Sequence, residues 1–188
     1  MNKNRIEAFS DAVIAIIITI MVLELNLPDD ITFSSLLHLW PMVFVYISSF
    51  LQILIVWVGH HDLFNSIEAI SYKLFVYNGL WLLTQSFVPL GTKAVGDSSD
   101  LPAVVLYLGI LSLWSFAWML MYHQAVRENP DIKKSKKESL NPKTAWTYQG
   151  EILIFLIISL VFSDFIIYLP LLMIVASGYN MFRYQGKE

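Results

Sequence analysis

Cysteine is absent from the 188 residues, which excludes disulfides and thiolate metal sites. Charge is scarce: Asp, Glu, Lys and Arg make up 14% of the chain, with a formal net charge of −3. That balance argues against nucleic acid as a partner. No Gly-rich phosphate loop, HExxH or GxSxG sequence occurs, so no catalytic residue and no enzyme activity is expected. Also missing are a TVGYG sequence and the paired, interrupted hydrophobic segments of many transporters. No internal repeat and no soluble domain is visible. Lys3 and Arg5 precede an apolar run, but Glu24-Leu25-Asn26-Leu27-Pro28 makes a poor cleavage site, so a signal peptide is not expected.

What the chain does have is long apolar runs. It is 56% hydrophobic, with a mean hydropathy of +0.60, more apolar surface than a soluble domain of this length can bury. Ile31 to His61, Leu74 to Thr92, Leu101 to Val126 and Phe165 to Phe182 contain no Asp, Glu, Lys or Arg. Each approaches or exceeds the ~20 residues that cross a bilayer as a helix. Two shorter runs, 12–23 and 152–163, span only when joined by their polar flanks. The chain is therefore expected to be an all-α integral membrane protein, one domain over residues 1–188. Its six spans are expected near 5–27, 36–64, 72–92, 102–127, 144–163 and 165–184. Pro89 and Gly91 mark the far end of the third span, Ser163-Asp164 a hairpin turn and Pro170 a kink.

Lys and Arg set the orientation. Of the twelve, only Lys93 falls on one side of the six-span arrangement. Lys3, Arg5, Lys73, Arg127, Lys133, Lys134, Lys136, Lys137, Lys143, Arg183 and Lys187 fall on the other. Both termini are expected in the cytoplasm, in a multi-pass protein of the inner (plasma) membrane. The Lys133–Lys137 run reads as a solvated loop or as a contact for anionic inner-leaflet lipid. Trp146 and Tyr148 sit where an interfacial aromatic belt is expected.

The most informative feature is a junction. Arg5-Ile-Glu-Ala-Phe-Ser-Asp11 runs without a break into the uncharged residues Ala12 to Leu23, carrying charge to membrane depth, where it is costly and usually faces other helices, water or ions. At about 100° per residue from Arg5, Ile16 falls near 20°, Thr19 near 320°, Ile20 near 60° and Leu23 near 0°, one stripe. Ser10 (about 140°) and Asp11 (about 240°) point elsewhere. Trp57, His60 and Asn78 lie at similar depth on the second and third spans and offer the donors a buried carboxylate needs. The resulting network is either an ion or proton site or a clamp that fixes helix packing; the clamp is the leading reading. Adjacent His60 and His61 point about 100° apart and do not chelate one ion; one is expected inside and one at the interface. His38 and His123 are uninformative. Glu24, near 100°, either attracts cations to a mouth or snorkels. Ser48 and Ser49 read as small packing residues.

Arg5-x3-Phe9-Ser10-Asp11, Trp57-x2-His60-x3-Phe64, Asn78 and Phe87-x-Pro89 together resemble the bacterial branch of the endolysosomal potassium-channel family that lacks a TVGYG filter. The likeness spans mainly residues 5–90, and the later spans agree in number and length. It implies a potassium-preferring cation channel, a homotetramer whose central pore is lined by the first span. By the same resemblance Ile16 is the hydrophobic constriction, with Ile20 and Leu23 as further apolar rings and Thr19 as a hydroxyl layer. Arg5, Phe9, Ser10, Asp11, Trp57, His60 and Asn78 form the inter-helix motif. Monovalent cations and membrane lipids are the partners; no cofactor or metal is implied beyond permeant potassium. Two other functions remain open: a proton-permeable channel using Asp11 and His60, and a non-conducting membrane assembly protein.

Overall fold

The structure, a computed structural model, describes residues 2–68, 70–98, 100–130, 142–161 and 175. Among them it is all-helical, with no strand. The order is α1 (Lys3–Leu23), α2 (Phe33–His38), α3 (Trp40–Ser66), α4 (Tyr72–Gln85), α5 (Val88–Asp97), α6 (Leu101–Glu128) and α7 (Pro142–Val161). The sixth span apart from Val175, the Ser163-Asp164 turn, the Pro170 kink and the Lys133–Lys137 run lie outside the described residues.

Three helices, α1, α3 and α6, are each long and apolar enough to cross a membrane. α1 ends at Leu23 rather than near Leu27: Glu24 is its C-cap, and the last turn tightens as the Glu24 and Leu25 N–H groups donate to the carbonyls of Met21 and Val22. Its 21 residues rise about 31 Å, still a bilayer's thickness. The charge-free run from Ile31 divides: Thr32 and Ser35 form a capping box that starts the six-residue α2, and Pro41 opens α3 in its first turn, where a missing N–H costs nothing.

The third span differs most from expectation. Pro89 and Gly91 do not end it; they begin a second helix. α4 stops at Gln85 and α5 continues from Val88 to Asp97. Pro89 has no N–H to complete the α-helical ladder. The chain turns at Ser86-Phe87 through a tightened Phe87 N to Thr84 O bond of 3.3 Å. The Thr84 and Ser86 hydroxyls donate to the carbonyls of Trp81 and Leu83 at 2.9 and 2.8 Å. Neither piece is long enough to span alone; together they are.

α6 is the hub: α4, α5 and α7 pack on it, while α1 docks on α3, α4 and α5. The core joins Trp81, Tyr107, Leu111, Trp114 and Met121 with residues of the other helices. Hydrogen bonds tie helices where apolar packing has no driving force against lipid. Ser49 pairs with the Tyr107 hydroxyl at 3.1 Å, and Ser112 exchanges two bonds with Gln149 at 2.7 and 2.9 Å. Ser48 and Ser49 are both buried, as packing residues should be. Trp146 is exposed, while Tyr148 packs on the core.

Gly91 holds α5 close to α6. A Cβ there would lie 3.0 Å from the Tyr107 ring and 3.2 Å from the Tyr107 Cα, which is backbone and cannot swing away. Gly91→Ala is expected to push the helices apart at a cost of about 1–3 kcal/mol, lowering the melting temperature of the detergent-solubilised protein. An unchanged melting curve would refute the tight contact.

The clamp on the first helix and its exposed stripe

Two neighbouring side chains on α1 reach two different helices. Ser10, fully buried, accepts from Asn78 Nδ2 of α4 at 2.9 Å and donates to the Ile6 carbonyl at 2.9 Å. Asp11 accepts from Trp57 Nε1 of α3 at 2.8 Å. The 100° step between successive helical residues makes this divergence possible. Asn78 Oδ1 lies 2.9 Å from His60 Nε2. An amide oxygen only accepts, so His60 donates from Nε2. A continuous chain results, from His60 through Asn78 and Ser10 to the α1 backbone. The His60 ring is held between Phe64 and Trp81, with centroids 4.3 and 4.7 Å away.

The structure thus brings together Ser10, Asp11, Trp57, His60 and Asn78 and leaves Arg5 and Phe9 outside. Both are exposed; Phe9 is 56% accessible. Their wheel angles, about 0° and 40°, put them on the stripe with Ile16 rather than on the clamp face. A second link was not anticipated. His61 Nδ1 lies 3.0 Å from Glu7 Oε1 and its Nε2 lies 2.8 Å from Asn65 Nδ2. Glu7, near 200°, sits between Ser10 and Asp11 on the wheel, so the same projection contains this signal. His60 is inside and His61 at the surface. His123 bonds within its own helix, to the Met119 carbonyl at 2.9 Å, and His38 does the same with Ser34 at 2.6 Å.

Beyond the clamp, the buried face of α1 continues through Ile14, Ile17 and Met21. The other face is open: Ile16, Thr19, Ile20 and Leu23 are all exposed, Leu23 by 77%. Thr19 Oγ1 donates to the Ile16 carbonyl at 2.8 Å. Its proton is spent within the helix, and its lone pairs remain available to a cation. A groove of about 350 Å³ flanks this stripe, lined by Val13, Ile16, Ile17 and Ile20 of α1, its cap Glu24, and Ser86, Pro89 and Leu90 where α4 gives way to α5.

A family model described as the endosomal/lysosomal potassium channel TMEM175 matches residues 5–89, the segment that holds the whole clamp and stripe. A protein of Chryseobacterium sp. (strain P1-3) named as a potassium channel is 36% identical over 139 residues, covering 72% of each chain. The chain belongs to the TMEM175 family. It is therefore a membrane protein of an ion-channel family. The crystal structure of a lysosomal potassium-selective channel TMEM175 homolog from Chamaesiphon minutus superposes with a TM-score of 0.76 and 28% identity, covering 97% of both chains. The human TMEM175, named an endosomal/lysosomal proton channel, is 26% identical over 157 residues. The match takes in 70% of this chain but 31% of the human one.

Proposed function

We propose that the chain is a potassium-preferring cation channel. Four copies set their α1 helices around a common axis, in the plasma membrane, with both ends of the chain cytoplasmic. Conduction rather than catalysis is its role, with permeant potassium and no cofactor. Ile16, Ile20 and Leu23 form successive apolar rings and Thr19 a hydroxyl layer between the first two. The observation that carries this is the open stripe of α1: apolar side chains with one hydroxyl, on a helix whose opposite face is locked by Ser10 and Asp11. One α1 helix by itself cannot enclose an ion path. Four Ile16 side chains brought to one axis make a dry constriction that stops ions by dewetting. Thr19 lies about 4.5 Å further along the axis, where its free lone pairs replace part of an ion's lost water. The potassium-channel names of the bacterial relatives support the same choice of ion.

Single-channel recording of the reconstituted protein tests this, together with a crosslinking ladder in mild detergent. A strictly monomeric species that passes no potassium would refute it. Thr19→Ala is expected to weaken selectivity and move the potassium/sodium bi-ionic reversal potential toward zero. A tenfold loss of preference corresponds to about 59 mV. An unmoved potential would remove Thr19 from the selectivity layer.

Proton permeation through Asp11 and His60 is the second reading, favoured by the name of the human relative. It has weaker support in the geometry, because Asp11 bonds to Trp57 while His60 bonds to Asn78.

A further inference from the structure

Lys93, the one cation predicted on its side of the membrane, is engaged by groups of its own chain. Its ammonium lies 3.5 Å from Glu24 Oε2, 3.8 Å from Asp97 Oδ2 and 3.4 Å from the Glu24 carbonyl oxygen. Glu24 is the residue that caps α1. Lys93 therefore sits on the negative end of the α1 dipole and binds both the backbone and the side chain of the capping residue. It ties that end of α1 to α5, as Trp57 and Asn78 tie the other end to α3 and α4. The three side chains are partly open to water, at 30% for Lys93, 40% for Glu24 and 47% for Asp97. Glu24 also lines the groove beside Ile16 and Ile20, so its carboxylate stands on the flank of the open stripe.

We infer that Lys93 sets the charge of one pore mouth by holding the end of α1 and masking Glu24. The inference rests on the tetrameric pore proposed above. Within this cluster one ammonium between two carboxylates leaves a net charge of −1 per subunit, or −4 for four subunits. A mouth of that sign concentrates cations without binding any one tightly. Loss of Lys93 doubles the negative charge of the cluster; loss of Glu24 or Asp97 neutralises it. Lys93 thus acts as a brake on cation supply, and the carboxylates as its source.

The test is single-channel conductance of reconstituted full-length protein in symmetric potassium chloride at low and high salt. Fields from the mouth reach ~30 Å at 0.01 M and ~3 Å at 1 M. At low salt Lys93→Gln is expected to raise conductance about twofold or more, and Glu24→Gln to lower it about as much. The double variant returns toward wild type, and Lys93→Arg behaves as wild type. At high salt all converge. Asp97→Asn, which leaves the contact with α1 intact, should lower conductance at low salt; it reads the charge effect even if the Lys93 variant fails to fold. Equal conductance of all variants at low salt would overturn the inference. So would changes that persist at 1 M and are not reversed in the double variant, the signature of a purely structural strut. A wild-type protein that passes no potassium would refute the pore itself, a failure visible before any variant is compared.

Discussion

In the proposed pore, Ile16→Asn is expected to make the constriction leaky, raising conductance or open probability at least tenfold and eroding the preference for potassium. A drop of about 1.4 kcal/mol in the barrier at one ring is a tenfold change in rate. Four amides that hydrogen-bond water in place of four branched alkyl groups should exceed that drop. The substitution is unusually clean. Ile16 is 57% exposed and lies on the face of α1 opposite Ser10, Ile14 and Ile17, so its side chain carries little of the subunit's own packing. The variant should express, fold and assemble as the parent does. Planar-bilayer recording checks the result. Unchanged conductance in a correctly assembled protein would rule out Ile16 as the gate.

The second large effect concerns the clamp. Asn78 is its central node, because it accepts from His60 and donates to Ser10. Asn78→Leu strands a buried imidazole N–H and removes the hydrogen bond that fixes the depth and angle of α1. An unsatisfied buried donor costs about 1–3 kcal/mol, and inter-helix bonds in lipid lie at the lower end of that range. A loss of about 1–3 kcal/mol is expected, seen as a lower melting temperature of the detergent-solubilised protein and, in the proposed channel, as unstable gating. Adding His60→Phe and Ser10→Ala should recover much of it. A phenyl ring retains the place between Phe64 and Trp81, and replacing both partners by apolar groups leaves nothing unpaired. If Asn78→Leu melts with the wild type, the network does not hold the helix. If the triple variant is worse than the single one, the deficit lies in packing rather than in the unmade bond.

Much of this was legible in the residues. The charge-free runs marked the membrane class, since ~20 apolar residues have few other uses. The 100° step separated Ser10 and Asp11 from the Ile16 stripe, and the structure keeps that division. The choice of partners was not legible. Trp57, His60 and Asn78 were equally good donors for Asp11 by type and depth, and only the relative rotation of α3 and α4 assigned Trp57 to Asp11 and Asn78 to Ser10. The break in the third span is not legible in the sequence for a related reason. Pro89 cannot continue an α-helical ladder, but the sequence does not say whether the chain then leaves the membrane or turns and goes on. The structure shows a second helix, α5, packed on α6 and held close by Gly91.

The sequence by itself determined that the chain is a bundle of membrane helices with a polar motif at one end of its first helix and an apolar stripe beyond. Those properties follow from hydropathy and a fixed helical period, which are local. Only the tertiary structure decided that Lys93 reaches Glu24, that Glu7 meets His61, and that Arg5 and Phe9 stay outside the clamp. Each of these depends on how far one helix has slid and turned against another. That is set by the sum of many buried contacts and by the cost of leaving polar groups at membrane depth unpaired. No single stretch of residues contains it.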